Sequence, residues 1–163
     1  MPLRAPPNPD DYLCERANVS QDLVIICPAC QSKNRVPLAR LESQPSCGRC
    51  KAALFQGHPV EADSAAFKRM VEHSEQPVLV DFWAPWCGPC VQMAPQLNAA
   101  TQRLEPQVRV VKVDVEANQD IGAEFGIRSI PTLALFHGGR EIARTQGAMG
   151  AMEIVRFVAE AVG

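Results

Sequence analysis

Six of the seven cysteines in this chain of 163 residues fall into three Cys-x-x-Cys pairs. The pairs are Cys27 with Cys30, Cys47 with Cys50, and Cys87 with Cys90. A secreted disulfide scaffold spreads its cysteines to close loops, whereas tight pairs favour metal binding or redox chemistry. Because each pair places two sulfur atoms on one tight turn, this spacing restricts the possible folds more than any other feature. The remaining cysteine, Cys14, is predicted to be an incidental thiol.

The first two pairs have the spacing of a zinc ribbon. Sixteen residues separate them, which suits two knuckles that converge on one tetrahedral zinc ion. Residues 21–57 contain only short apolar stretches and need such a staple to fold, with a strand expected at residues 22–27. The predicted ligands of one structural zinc ion are Cys27, Cys30, Cys47 and Cys50. Two further redox pairs, or four reduced thiols, are the alternatives.

The third pair lies between a predicted buried strand at residues 77–83 and the start of a predicted helix. A helix N-terminus offers unpaired N–H groups and a partial positive charge, which favour the thiolate form of Cys87. Cys90 then lies close enough to resolve a mixed disulfide. A structural disulfide or one half of a metal site are the alternatives, and a redox role is the favoured interpretation.

The segment at residues 58–163 alternates between helix and strand patterns. A helix is expected after Asp63 or Ser64, and Met152, Val155, Val158 and Val162 predict the buried stripe of a final helix. The predicted order is helix, strand, helix, strand, helix, strand, strand, helix. The intermediate elements are a helix after Trp86, a strand at 108–115, a helix at 118–125, and strands at 132–136 and 141–146. Such an order requires a mixed sheet covered by helices on both faces, which is an α/β fold.

The first twenty residues contain four prolines and no long apolar run. They predict a flexible tail without a secretory signal, and no stretch of the chain reaches the roughly 18 apolar residues of a membrane span. The net charge of -2 and the few basic and aromatic residues at 21–57 argue against nucleic-acid binding. A cytoplasmic protein that binds neither membrane nor nucleic acid is expected.

Two longer motifs carry a family resemblance. Residues 80–90, VDFWAPWCGPC, resemble the active-site segment of thioredoxins, and residues 125–132, FGIRSIPT, resemble their cis-proline loop. The resemblance covers residues 60–163, and the four-cysteine segment in front is similar to that of the thioredoxin 2 subtype. It implies a thioredoxin fold at residues 58–163, preceded by a zinc-ribbon module at residues 21–57.

The resemblance also implies roles for individual residues. Cys87 would attack a protein disulfide and Cys90 would resolve it, with Asp81 exchanging a proton with Cys90 and Lys112 near that carboxylate. An alternative is that Asp81 only satisfies polar neighbours. The implied substrate surface consists of Trp86, Gly88, Pro89, Ile130, Pro131 in the cis form, and Gly147.

The implied partners are disulfide-containing proteins as substrates and thioredoxin reductase as electron donor. No Gly-x-Gly-x-x-Gly fingerprint occurs in the chain, so no bound organic cofactor is expected. Oxidation of the zinc thiolates is a further hypothesis for regulation. The competing functions are a zinc-dependent interaction module with an inactive scaffold, and a disulfide oxidant or isomerase.

Overall fold

The structure is a computed structural model that describes residues 21–163. The predicted tail at residues 1–20, including Cys14, lies outside the described residues. The described part contains a two-stranded sheet at its start and a five-stranded sheet after it. We call residues 21–57 the ribbon segment and residues 58–163 the C-terminal segment.

The ribbon segment is built on an antiparallel hairpin. Strand β1 (Asp22–Ile26) pairs with β2 (Lys33–Pro37), and a 3-10 helix (Leu38–Ser43) follows. The predicted strand before the first knuckle is confirmed, whereas β2 was not predicted because its mostly polar sequence carries no apolar alternation. A small core holds the segment together; its buried members are Ile25, Cys27, Val36, Leu41, Cys47 and Leu54.

The C-terminal segment contains the mixed sheet that the order of elements predicted. Its strands are β3 (Val60–Glu61), β4 (Val78–Trp83), β5 (Arg109–Asp114), β6 (Thr132–His137) and β7 (Arg140–Gln146). The spatial order is β3-β5-β4-β6-β7, with the first three strands parallel and the last two antiparallel to their neighbours. Strand β3 was not predicted, because two residues are too few to form a hydrophobic period.

Four helices cover the two faces of this sheet. They are α1 (Ser64–His73), α2 (Gly88–Leu104), α3 (Gln119–Glu124) and α4 (Ala151–Val162). The Asp63 side chain caps α1 by accepting a hydrogen bond from the Ala66 N–H at 2.8 Å, as expected for a carboxylate before the first turn. No helix within residues 21–163 combines the length and apolarity that a bilayer crossing requires.

Each face of the sheet has its own core. On the face covered by α1, the fully buried Phe67 contacts the rings of Phe82, Phe125 and Phe136 edge-on, at centroid distances of 5.9, 5.2 and 5.7 Å. On the opposite face, apolar residues of β4, β5 and β6 pack against α2 and α4. The sheet is therefore buried between two helical layers along its centre, and the parallel strands β3, β4 and β5 end at the same edge.

The predicted buried stripe of α4 is wrong in part. Met152 and Val162 are 53% and 46% exposed. Ile154 and Val158, in contrast, are buried in the core that lies between the sheet and helices α2 and α4. Ile154 and Val158 lie four residues apart, so they occupy one face of the helix. Several apolar residues of α4 fit a helical period, and only the position of α2 beneath it decides which of them are buried.

Candidate redox and metal sites

The Cys87–Cys90 pair lies where β4 passes into α2. Cys87 is the N-cap residue of α2, with Gly88 and Pro89 in the first turn, where a missing N–H costs no hydrogen bond. Both cysteines are nearly buried, and the structure joins them in a disulfide with a Cα–Cα distance of 5.3 Å. The structure therefore represents the oxidised form of the pair.

The backbone around Cys87 is arranged to stabilise negative charge on its sulfur. The Cys90 N–H donates to Cys87 Sγ at 3.3 Å, and that N–H belongs to the first turn of the helix, whose free N–H groups carry partial positive charge. A thiolate at this position is stabilised relative to a thiol. The arrangement provides a sulfur nucleophile and, three residues later, a second sulfur that can displace it.

Asp81 lies in the middle of β4, in register with Lys112 of β5 and Leu133 of β6. Its carboxyl is only 1% exposed, and Oδ1 has no hydrogen-bond partner among residues 21–163. Burial raises the pKa of Asp81 to about 7, although the positive charge of Lys112 opposes this shift. The group can therefore exchange a proton near neutral pH.

Lys112 does not form an ion pair with Asp81 within the described residues. Its Nζ lies 4.0 Å from the ring centroid of Trp83, on the neighbouring strand. The ring holds the ammonium by a cation–π contact. Sequence reasoning did not single out Trp83, because a tryptophan in a buried strand is expected for packing alone.

The residues predicted to hold substrate surround the cysteine pair. Cys87 Sγ lies 3.8 Å from the carbonyl oxygen of Ile130, and the peptide bond between Ile130 and Pro131 is cis. Gly147 adopts a φ of +95°, which favours glycine, and its N–H donates to the Pro131 carbonyl at 2.9 Å. Trp86 is 68% exposed beside them. The surface next to Cys87 therefore combines the exposed Trp86 ring with the cis-proline loop.

Four sulfurs of the ribbon segment converge on one point. All four Sγ atoms lie within 4.8 Å of one another, and the Cys27–Cys50 and Cys30–Cys47 pairs are each 3.6 Å apart. A tetrahedral Zn²⁺ with Zn–S bonds of about 2.3 Å requires sulfurs separated by about 3.8 Å. The donor set and its spacing therefore fit a zinc ion, as the Cys-x-x-Cys spacing predicted.

Additional donors surround these sulfurs. The N–H groups of Ala29 and Arg49 donate to Cys27 Sγ and Cys47 Sγ, each at 3.4 Å. The Ser32 hydroxyl lies 3.0 Å from Cys30 Sγ and 3.2 Å from Cys47 Sγ, and it lowers the pKa of both thiols. Burial, in contrast, raises the pKa of Cys27. Hydrogen bonds to ligand atoms of this kind orient the ligands of a metal site.

A second polar side chain, from β2, contacts the second knuckle. Asn34 donates to Cys47 Sγ at 3.5 Å and accepts the Gly48 N–H at 2.9 Å. Neither Ser32 nor Asn34 was predicted, because a polar residue near a cysteine knuckle is too common to indicate a contact. Their position is decided by the β1–β2 hairpin, which brings residues 32–34 across from the second knuckle.

Comparison with protein families gives two matches. A family model described as Thioredoxin matches residues 58–160, and one described as Thioredoxin 2, N-terminal, a zinc ribbon, matches residues 26–52. Thioredoxin C-3 of Corynebacterium nephridii is 41% identical over 136 residues, covering 83% of this chain and 93% of that protein. Thioredoxin of Synechocystis sp. is 47% identical over 89 residues, covering 55% of this chain and 83% of its own length.

Two other similarities bear on fold and partner. The Bifunctional thioredoxin reductase/thioredoxin of Mycobacterium leprae is 42% identical over 106 residues, covering 65% of this chain and 23% of that protein. A solved mutant thioredoxin from Halobacterium salinarum NRC-1 superposes with a TM-score of 0.60, covering 67% of this chain and 95% of its own. At 24% identity this similarity supports the fold alone. The predicted thioredoxin fold is confirmed, and the chain belongs to the thioredoxin family of disulfide oxidoreductases, with a zinc-ribbon segment of the thioredoxin 2 type in front.

Proposed function

We propose that the chain reduces disulfides in other proteins through Cys87 and Cys90. The observation that supports this most strongly is the position of Cys87 at the N-cap of α2, where its sulfur accepts the Cys90 N–H. When the pair is reduced, the helix N-terminus and this N–H favour the thiolate form of Cys87 over the thiol. The nearly buried pair then reacts only with a disulfide that docks against it.

In the first step, the Cys87 thiolate attacks one sulfur of the substrate disulfide. The Cys87–substrate bond forms, the substrate S–S bond breaks, and the departing substrate sulfur leaves as a thiolate that takes a proton. The substrate strand would pair with the backbone of Ile130, whose carbonyl lies beside Cys87 Sγ. Trp86, Gly88, Pro89, Pro131 and Gly147 would form the rest of the contact surface.

In the second step, Asp81 accepts the proton of the Cys90 thiol. A carboxyl with a pKa of about 7 is partly ionised at neutral pH, so it can act as a base there. The Cys90 thiolate then attacks Cys87, and the second substrate sulfur leaves and is protonated. Two electrons pass from the dithiol to the substrate, and the chain is left as the Cys87–Cys90 disulfide. Lys112 would favour the ionised form of Asp81 at this stage.

The oxidised pair must be reduced again before the next cycle. We propose thioredoxin reductase as the donor, because one relative is named as a fusion of that enzyme with a thioredoxin. The electrons would come from that partner, so the chain itself would need no bound organic cofactor. Recycling of this kind also favours a cytoplasmic location for the proposed reaction.

Cysteine variants test the mechanism in an insulin-turbidity assay. Cys87→Ser is expected to abolish turnover. Cys90→Ser should still allow Cys87 to attack the substrate and should therefore accumulate a mixed disulfide, which gel electrophoresis without reductant detects. Cys14→Ser, which lies in neither the redox pair nor the knuckles, is the matched control and should keep wild-type activity. Full activity of Cys87→Ser would contradict the mechanism and favour an inactive scaffold for interaction.

For the ribbon segment we propose one structural zinc ion, held by Cys27, Cys30, Cys47 and Cys50. The convergence of the four sulfurs and the surrounding N–H, hydroxyl and amide donors support this. Bound zinc would supply the crosslink that a core of this size needs to fold. We also propose that strong oxidation of these thiolates releases the ion, and that the boundary between the two modules falls between residues 57 and 58.

A further inference from the structure

The contact between the ribbon segment and the C-terminal segment is centred on a buried arginine. Arg109 is the first residue of β5 and is only 1% exposed. Its Nη2 donates to the Leu54 carbonyl at 2.6 Å and lies 3.5 Å from the Ile26 carbonyl. Both carbonyls belong to the ribbon segment, so one guanidinium joins two parts of that segment to the sheet.

Along the sequence, these two carbonyls flank the four cysteines of the predicted metal site. Ile26 directly precedes the first ligand, Cys27, and its side chain is buried in the core of the C-terminal segment. Leu54 follows the second knuckle, and its N–H donates to the Pro45 carbonyl, which closes the loop that holds Cys47 and Cys50. The distance between the two knuckles therefore depends in part on how these arms are held together, beside the Ser32 hydroxyl that contacts both knuckles.

The guanidinium also contacts a carboxylate of the C-terminal segment and an aromatic ring of the ribbon segment. Its Nη1 lies 3.5 Å from Glu105 Oε1, and the other oxygen of Glu105 accepts the Gly57 N–H at 3.0 Å. The Phe55 ring lies 4.6 Å from the Arg109 guanidinium carbon. Charges that are this deeply buried persist only when they are paired, so Glu105 stabilises the buried guanidinium of Arg109.

Other contacts dock the ribbon segment independently of Arg109. The Glu75 N–H donates to the Val24 carbonyl at 3.0 Å, and the Val24 N–H donates to the Glu75 carboxylate at 2.8 Å. Arg69 Nε donates at 2.6 Å to the carbonyl of Gln31, next to the ligand Cys30. Removing Arg109 therefore removes the guanidinium that joins the two arms while leaving β1 docked.

We propose that Arg109 is a positioning residue for the four-cysteine metal site and that it slows loss of the metal. It acts by fixing the backbone before Cys27 relative to the backbone after the second knuckle, and it contacts the Cys27 neighbour rather than a ligand sulfur. Four thiolates around Zn²⁺ carry a net charge of about -2, which a nearby buried cation also stabilises. This inference rests on the proposed zinc site.

The test measures the rate at which zinc passes from the full-length, zinc-loaded protein to a chromogenic chelator. Arg109→Met is expected to release zinc about tenfold or more faster than wild type, because a charge-assisted hydrogen bond is lost. Arg109→Lys, which keeps the charge but cannot span both carbonyls, should fall between the two. The matched control is Arg144→Met: Arg144 donates to the Glu141 carboxylate and the Phe125 carbonyl, all within the C-terminal segment, and its loss should leave the rate unchanged.

A second control separates positioning from general loss of stability. Val158→Ala weakens the core covered by α2 and α4, which contains no residue of the ribbon segment, and so leaves the ribbon contacts of Arg109 in place. Zinc release as fast in Val158→Ala as in Arg109→Met would overturn the inference, and so would a wild-type rate in Arg109→Met. Should Arg109→Met not fold, a wild-type rate in Arg109→Lys overturns it equally. Wild-type protein that binds no zinc would overturn the proposed metal site as well, which the zinc content before chelation reveals directly.

Discussion

Replacing Asp81 by asparagine should change how the stability of the protein depends on pH. In the folded protein the Asp81 carboxyl has a pKa of about 7, compared with an ordinary value of 3.8, because burial disfavours its charged form. Between these two values the unfolded carboxyl is ionised while the folded one still holds its proton. Folding is therefore coupled to proton uptake, so stability falls as pH rises through this window and levels off above about pH 7. Asparagine is always neutral and escapes this penalty.

The expected magnitude follows from the same linkage. Each pH unit in the window costs about 1.4 kcal/mol of unfolding free energy, so the full penalty is about 4 kcal/mol, and about 3 kcal/mol of it develops between pH 5 and pH 8. The stability difference between Asp81→Asn and wild type should grow by about that amount over this range. Urea unfolding of the oxidised proteins, with circular dichroism at several pH values, measures it.

Asp120→Asn is the control for this experiment. The Ser64 hydroxyl lowers the pKa of Asp120, so its stabilising effect is present above pH 4 and is lost only as the pH falls below that value. The difference between Asp120→Asn and wild type should therefore stay constant from pH 5 to pH 8. A constant difference for Asp81→Asn as well would refute the argument, because it would mean that the Asp81 carboxyl is ionised in the folded protein throughout this range.

Two other outcomes follow from burial and from the metal site. Phe67→Ala should cost about 3–5 kcal/mol in urea unfolding, because it leaves a cavity among three aromatic rings, whereas the exposed Trp86→Ala should cost under about 0.5 kcal/mol and instead raise the KM for insulin. Equal destabilisation by the two substitutions would contradict the described core. Wild-type protein should hold one zinc equivalent and lose it on peroxide treatment as its free thiols disappear; zinc content that peroxide leaves unchanged would refute the proposed release.

The elements of the C-terminal segment were predictable where hydrophobic patterns were long. Strands β4 and β5 and helix α2 follow from runs of apolar residues with a clear period, and Asp63 marked the start of α1. Short or polar elements such as β2 and β3 were missed, because they are stabilised by pairing with a distant strand rather than by a local pattern. The buried face of α4 was assigned in part to the wrong residues for a related reason: apolar side chains on more than one face satisfy the same period.

The same distinction between local sequence pattern and long-range contact applies to the candidate sites. The Cys-x-x-Cys pairs were recognisable because their chemistry depends on spacing within one turn, which covalent geometry fixes. The proline loop was recognisable only through its resemblance to the thioredoxin family. The contacts of Ser32, Asn34 and Trp83 were not, since each reaches a residue on another strand or knuckle. Sequence alone indicates that a ligand set exists, but not which polar groups surround it.

By itself the sequence indicated which sulfurs lie together, which segment is an α/β domain, and where the Cys87–Cys90 pair lies relative to a strand and a helix. Only the tertiary structure decided that the Asp81 carboxyl lacks a partner for Oδ1 within the described residues and that Arg109 joins the ribbon segment to the sheet. Spacing along the chain is a local property that each motif carries with it. Burial and charge pairing, in contrast, depend on residues more than fifty positions apart, such as Leu54 and Arg109, that meet only when the whole chain has folded.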